Sequence, residues 1–73
     1  MSRLRPLPPR KVKKILMKLG WKPVRKSGSH EIYQHPEHSF IIVLPIHKKI
    51  KKGTLKSIIE DLGLSIEDFF NLI

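Results

Sequence analysis

The sequence predicts an α+β domain in which helices cover one face of a three-stranded antiparallel sheet. Two segments, one near each end of the chain, repeat apolar residues at helical spacing, and three runs typical of strands lie between them. The connections between these runs are short and contain glycine or proline, as hairpins require. The order α-β-β-β-α with antiparallel strands most simply places both helices on one sheet face, in two layers.

The first helix is predicted from Pro9 to Leu19. Proline is favourable in a first helical turn, where its missing N–H would have no partner, and Gly20 is a favourable residue just after the last turn. Apolar residues recur at i, i+3, i+4 and i+7, which gives the helix one buried face. That face consists of Val12, Ile15, Leu16 and Leu19, and the lysines expected to face water are Lys11, Lys13, Lys14 and Lys18.

The three predicted strands form a meander. Pro23 pushes the first strand towards an edge or a bulge, because proline has no backbone donor. The Phe-Ile-Ile-Val-Leu run of the third strand is the strongest strand signal in the chain. The predicted strands are Trp21 to Lys26, His30 to Gln34 and Ser39 to Leu44, joined by a turn at Ser27-Gly28 and a loop from His35 to His38.

A basic loop from Pro45 to Gly53 leads into the second long helix. Thr54 is a candidate N-cap of this helix and Gly63 a candidate stop. The helical spacing seen in the first helix returns here, and the residues that show it are Leu55, Ile58, Ile59 and Leu62. This repeat makes the second helix the most strongly predicted element.

A last short helix is predicted from Ile66 to about Leu72. Ser65 followed by Asp68 resembles a capping box, and the helix would bury Ile66, Phe69 and also Phe70 in part. The α-β-β-β-α order that precedes this short helix is that of a double-stranded-RNA-binding domain. A fold does not by itself identify an activity, so function has to be argued from individual residues.

The chain carries a large excess of positive charge. Its 73 residues, predicted to form one domain over 1–73, include 15 Lys and Arg against 6 acids, a net charge of +9, and no cysteine. Such a surface favours nucleic acid, an acidic protein or an anionic membrane, in that order for a short domain without an aromatic amphipathic helix. Without cysteine there is no disulfide, thiolate nucleophile or cysteine-based zinc site. No segment has the length of a membrane span, and a location in the cytoplasm is expected.

The run Gly28-Ser29-His30 predicts a tight turn that delivers a histidine to the start of a strand. Histidine ionises near pH ~6.5, so it can take up and return a proton at neutral pH. RNA carries its own nucleophile, the 2′-hydroxyl beside each phosphodiester, so a base, an acid and cations suffice to cleave it. By strand alternation His30 shares a face with Ile32 and Gln34. On these residues alone, a merely hydrogen-bonded histidine at a strand end is as plausible as a catalytic one.

A metal site is not expected. Glu31 faces away from His30, and Glu37 is the one other acid before Glu60, so the carboxylates that hard cations need are missing near the histidine. His35 and His38, in the hairpin loop, are expected to be solvated. Trp21 and Tyr33 could stack on bases, but core packing is commoner for aromatic residues in so small a domain.

Phosphate binding is predicted around the turn and ahead of the second long helix. A helix N-terminus favours an anion, and lysines gathered near it can grip phosphates; a solvated loop is the alternative. The residues predicted to bind RNA are Lys26, Lys48, Lys49, Lys51 and Lys52. No cofactor is expected.

Three local features at these separations resemble the HicA family of bacterial mRNA-cleaving toxins. They are Gly28-Ser29-His30, Pro45-Ile46-His47 and Lys52-Gly53-Thr54-Leu55, in a chain whose first helix closes on Leu-Gly-Trp. The resemblance covers about Lys11 to Leu72. It implies a ribosome-independent endoribonuclease, the toxin of a type II system, that acts on mRNA and is neutralised by direct binding of a HicB-like antitoxin.

The family's catalytic histidine corresponds to His30, and Gly28 and Ser29 match its turn. Trp21 stands where phenylalanine is commoner, and the proline-rich start from Met1 to Pro9 lies outside the family pattern. His47 is a candidate second proton-transfer group, the acid for the leaving 5′-oxygen, although a structural role is commoner for such a histidine. Two other functions stay open, a non-catalytic RNA-binding module and a basic domain that docks an acidic protein.

Overall fold

The computed structural model describes residues 4–73 and confirms the predicted element order. No helix within these residues has the length and apolar character that a bilayer crossing requires. The elements are α1 Pro9–Lys18, β1 Lys22–Ser27, β2 His30–Gln34, β3 Ile42–Pro45, α2 Lys52–Asp61 and α3 Ile66–Asn71.

The sheet has the order β1-β2-β3, and both neighbouring pairs are antiparallel. Its inner face contains Tyr33, which is fully buried, whereas Val43 on the outer face is exposed. Since side chains alternate along β2, His30 lies on the outer face. The register of β1 shifts between Pro23 and Arg25, which confirms the predicted bulge or edge position of the proline.

Helices α1 and α2 cover the inner face. Their apolar stripes, the inner face of the sheet and Phe69 of α3 form one hydrophobic cluster. Burial of an apolar side chain contributes about 1.5–3 kcal/mol, so this cluster is the main source of stability. The buried residues from α1 and α2 are Val12, Ile15, Leu16, Leu55, Ile58 and Ile59.

The third strand is shorter and begins later than the sequence predicts. It runs from Ile42 to Pro45 rather than from Ser39 to Leu44, because its pairing with β2 starts at Tyr33 opposite Ile42. Phe40 precedes the strand and packs against Trp21 at a centroid distance of 5.4 Å. The Phe-Ile-Ile-Val-Leu run therefore contributes Ile42 and Leu44 to the core, and its other three residues are exposed.

The second long helix begins earlier than predicted. Lys52 is its first residue and Lys51 its N-cap, with no side-chain cap, so the prediction of Thr54 as N-cap is wrong. Thr54 lies inside the first turn, where the chain is already helical. The cap of α3 is as predicted, because Ser65 Oγ accepts a hydrogen bond from the Asp68 N–H at 3.0 Å.

The segment before α1 is part of the core. Leu7 is buried and forms an isolated antiparallel bridge with Ile50, which is fully buried. The Ile50 N–H donates to the Leu7 carbonyl at 2.7 Å, and the Leu7 N–H donates back at 3.3 Å. This bridge anchors the basic loop between β3 and α2.

Candidate active site at the first hairpin turn

A two-residue turn places His30 at the start of β2. Ser27 pairs with His30 across the hairpin, which leaves Gly28 and Ser29 as the turn. Gly28 has a φ of +58°, a left-handed value that glycine adopts without steric cost. The backbone of this turn is therefore determined by Gly28, as predicted.

A backbone hydrogen bond brings the segment after β3 to this turn. The Ile46 N–H donates to the Ser29 carbonyl at 2.9 Å, and Pro45 pairs with His30 in the sheet. His47, one residue beyond Ile46, is thereby held next to the turn. Two residues that are far apart in sequence, His30 and His47, thus belong to one site.

His30 and His47 line a shallow pocket of about 260 Å³ together with Ser29, Pro45 and Lys48. Both histidines are exposed. Within residues 4–73 the His30 ring makes no side-chain hydrogen bond. Its two nitrogens are open to a substrate, and an exposed lysine lies beside them.

A second groove, of about 310 Å³, adjoins this pocket, and His47 lines both. We call it the α1 groove, because Arg10 and Lys13 of α1 form one wall. Lys26 of β1 and the carboxylate of Glu31 also line it. The α1 groove is therefore cationic, with one acid among three bases.

Glu31 is held in place by a buried tyrosine. The Tyr33 hydroxyl donates to Glu31 Oε1 at 2.6 Å, and Lys13 Nζ lies 3.8 Å from the same oxygen. Burial is the larger cause, and the Glu31 carboxylate the smaller one, of a Tyr33 pKa well above its ordinary value. The phenol therefore keeps the proton that it donates to Glu31. Sequence reasoning missed this pair, although the i, i+2 spacing on one strand face was a signal for it.

The predicted RNA-binding lysines separate into two groups. Lys48 lines the pocket of His30 and Lys26 lines the α1 groove. The others line neither cavity, although all are exposed, and they flank the buried Ile50. This second group is Lys49, Lys51 and Lys52.

His35 and His38 lie at the other end of the sheet and are not simply solvated as predicted. His35 is half-buried, and its Nε2 is 3.0 Å from the Leu19 carbonyl. The exposed ring of His38 stacks on Trp21 at 5.3 Å with an interplanar angle of 3°. Trp21 is 2% exposed, so it is a core residue rather than a platform for bases.

The potential metal ligands within residues 4–73 do not cluster. No group of three or more histidine, aspartate or glutamate side chains lies close enough there to hold an ion. The four histidines divide between the two ends of the sheet, with His30 and His47 at one end and His35 and His38 at the other.

A family model described as the HicA toxin of bacterial toxin-antitoxin systems matches residues 9–64. The matched range includes both histidines of the pocket and ends before α3. A comparison with curated proteins found no match.

Proposed function

Because this chain belongs to the HicA family of toxins from bacterial toxin–antitoxin systems, we propose that it is a metal-independent endoribonuclease that cleaves mRNA in the cytoplasm. The observation that carries this proposal is the pocket in which His30, His47 and Lys48 meet. It combines two groups able to transfer protons with a cation for the phosphate. These are the parts that cleavage at a 2′-hydroxyl needs.

His30 acts as the general base. It removes the proton of the 2′-hydroxyl, whose oxygen then attacks the adjacent phosphorus. The bond from phosphorus to the 5′-oxygen breaks, and that oxygen takes a proton from His47 as it leaves. The products are a 2′,3′-cyclic phosphate and a 5′-hydroxyl, so atoms and charge balance without water or metal.

Lys48 stabilises the negative charge that develops on the phosphoryl oxygens. It lines the same pocket as both histidines, and a cation held at that point offsets the charge that develops in the transition state. Gly28 and Ser29 position His30 through the turn. The other predicted lysines bind phosphates further along the RNA and read no bases. They are Lys26, Lys49, Lys51 and Lys52.

Membership of a toxin–antitoxin family implies an antitoxin partner. We propose that a HicB-like, acidic antitoxin binds the outer face of the sheet and covers His30. Within residues 4–73 the two long helices pack on the opposite face, and the outer face exposes Val43, with Val24 and Ile41 exposed on its neighbouring segments. Exposed branched residues beside a cationic pocket suit a partner that is apolar at its centre and acidic at its rim.

Cleavage of a long single-stranded RNA in excess EDTA tests the activity. We expect the wild-type protein to cut it and His30→Ala to be slower by about 10² to 10⁴, the usual contribution of a proton-transfer group. A substrate with 2′-deoxyribose at the scissile position should stay intact. His38→Ala, which removes an exposed imidazole at the far end of the sheet, is the matched control and should cleave normally.

Two results would contradict the mechanism, namely cleavage of the deoxy substrate or a wild-type rate in folded His30→Ala. The same experiment separates the alternatives. A non-catalytic RNA-binding module would bind RNA with a strong salt dependence but leave it intact. A domain that docks an acidic protein would neither bind RNA nor cleave it.

A further inference from the structure

Glu31 is an unusual residue for the place where it lies. The chain has 6 acids against 15 Lys and Arg, and this acid lines a groove with Arg10, Lys13 and Lys26. A groove that served only to hold phosphate would be weakened by a carboxylate, because the two anions repel. The position of Glu31 therefore favours a ligand group that donates a hydrogen bond rather than a phosphate.

The contacts of Glu31 leave half of its carboxylate free. Oε1 accepts from the Tyr33 hydroxyl at 2.6 Å and faces Lys13 at 3.8 Å. Oε2 has no hydrogen-bond partner within residues 4–73. The side chain is 18% exposed, so a ligand can reach this oxygen. A carboxylate held at one oxygen and open at the other is a fixed acceptor.

Two classes of donor could meet such an acceptor, a cationic side chain or the neutral N–H groups of a base. The three surrounding cations repel a cationic side chain. They attract the phosphates that accompany a nucleic-acid base. Bases of single-stranded RNA are read on their Watson–Crick edges. Guanine suits this carboxylate best, because its N1–H and N2–H lie side by side and can both donate, one to the free Oε2 and the other to the second lone pair of Oε1. Uracil is a poorer ligand, because its single N–H lies between two carbonyl oxygens and a carboxylate repels these oxygens.

We propose that the α1 groove binds one guanine next to the cleaved phosphodiester, with Glu31 accepting from the base edge and the groove cations binding the flanking phosphates. Glu31 is then a specificity-determining residue, and Tyr33 is the positioning residue that holds it. His47 lines both the groove and the pocket of His30, so a base in the groove and a phosphate in the pocket would have this residue as a common neighbour. This inference rests on the proposed function for the identity of the ligand as RNA.

Fluorescence anisotropy with uncleavable RNA tests the inference independently of catalysis. The probes are 2′-O-methyl octamers of uridine that carry one central guanosine, one central inosine or neither. Since one well-placed base contact discriminates against the wrong base, the wild-type protein should bind the guanosine probe about tenfold more tightly than the uridine probe. Inosine keeps N1–H and lacks the N2 amino group, so its affinity should lie between these two.

Glu31→Gln should bind the three probes equally, whereas Glu37→Gln should keep the preference for guanosine. Glu37 is an exposed acid in the distant hairpin loop, and its substitution changes the net charge by the same amount. Melting temperatures of both variants show whether folding is intact. The comparison of guanosine with inosine on wild-type protein needs no variant, so it tests recognition of the base edge even if Glu31→Gln fails to fold.

Equal binding of all probes by the wild-type protein would overturn the inference, as would a guanosine preference that survives in Glu31→Gln. Absence of binding at low salt would also overturn it. A protein that prefers guanosine through Glu31 but cleaves no RNA would support base recognition and refute the proposed nuclease. A protein that cleaves RNA but binds the probes equally would support the proposed nuclease and refute base recognition.

Discussion

His35 is bonded to the carbonyl of Leu19 at 3.0 Å through Nε2, and this contact ties the loop after β2 to the end of α1. The other ring nitrogen, Nδ1, accepts a hydrogen bond from the Glu37 N–H, also at 3.0 Å. An imidazole that accepts at Nδ1 carries its proton at Nε2. His35 is therefore a structural residue whose tautomer is determined by two backbone partners.

Gly20→Ala should destabilise the protein strongly, because the new methyl group would meet this histidine. A Cβ at position 20 would lie 2.8 Å from His35 Nε2, and Gly20 has a φ of +94°. A side chain in left-handed backbone costs about 1–2 kcal/mol. Displacement of the His35 hydrogen bond should add roughly 1–3 kcal/mol. The free energy of unfolding from urea titration measures the sum.

Two other glycines are the controls for this prediction. Gly63 has a φ of +72° with open space around it, so Gly63→Ala should show the backbone cost without the clash. Gly53 lies in α2 with open space and no left-handed backbone, so Gly53→Ala should raise stability by up to about 1 kcal/mol. Equal losses in Gly20→Ala and Gly63→Ala would show that the contact with His35 contributes nothing.

The parts of the fold that depend on local pattern could be predicted from the sequence. The apolar spacing of Val12, Ile15 and Leu16 located α1, and the Ser65–Asp68 pair located the start of α3, because these signals lie within a few residues of each other. Gly28 located the turn that carries His30 for the same reason. These elements need no knowledge of the distant chain.

Features that depend on distant contacts could not be predicted in this way. The late start of β3 follows from its pairing with β2, and the burial of Leu7 follows from its bridge to Ile50. The meeting of His30 with His47 depends on the hydrogen bond between Ile46 and Ser29. Sequence spacing suggested both histidines as candidates, but it contained no information on whether they share a pocket.

Because the pKa of Tyr33 is raised in the folded state, the protein should become less stable at alkaline pH. Burial and Glu31 raise the pKa of this residue in the folded state, so the folded protein keeps a proton that the unfolded chain loses near pH ~10. The stabilisation is complete below that pH and declines as pH rises above it, by about 1.4 kcal/mol per pH unit until the folded phenol itself ionises.

Tyr33 is the chain's single tyrosine, so tyrosinate absorbance at alkaline pH measures its ionisation directly. In urea it should appear near pH ~10; in folded protein it should appear at higher pH or together with unfolding. Glu31→Gln should move the folded ionisation back part of the way, because burial remains. Ionisation near pH ~10 while circular dichroism still shows folded protein would contradict this assignment.

Lys48 should contribute to both RNA binding and cleavage, whereas the lysines around Ile50 should contribute to RNA binding alone. Replacing Lys49 and Lys51 with alanine should weaken RNA binding for all sequences and flatten its salt dependence, by about 0.7 in log-log slope per lost phosphate contact. Lys48→Ala should in addition slow cleavage at saturating RNA, because Lys48 lines the pocket of His30. Lys56→Ala, on the exposed surface of α2, is the control. An unchanged slope would place the RNA elsewhere.

His47 should be needed for poor leaving groups and dispensable for good ones. If it protonates the departing 5′-oxygen, His47→Ala should cleave ordinary RNA about 10² to 10⁴ times more slowly than wild type. With uridine 3′-(4-nitrophenyl phosphate) the leaving phenolate needs no proton, so His47→Ala should act at close to the wild-type rate. His30→Ala should be slow on both substrates, because the 2′-hydroxyl must lose its proton in each case. Release of nitrophenolate, followed by absorbance, measures the rate. Equal defects of His47→Ala on the two substrates would show that His47 only shapes the pocket next to Ser29 and Pro45, and the acid would then have to be water or a lysine.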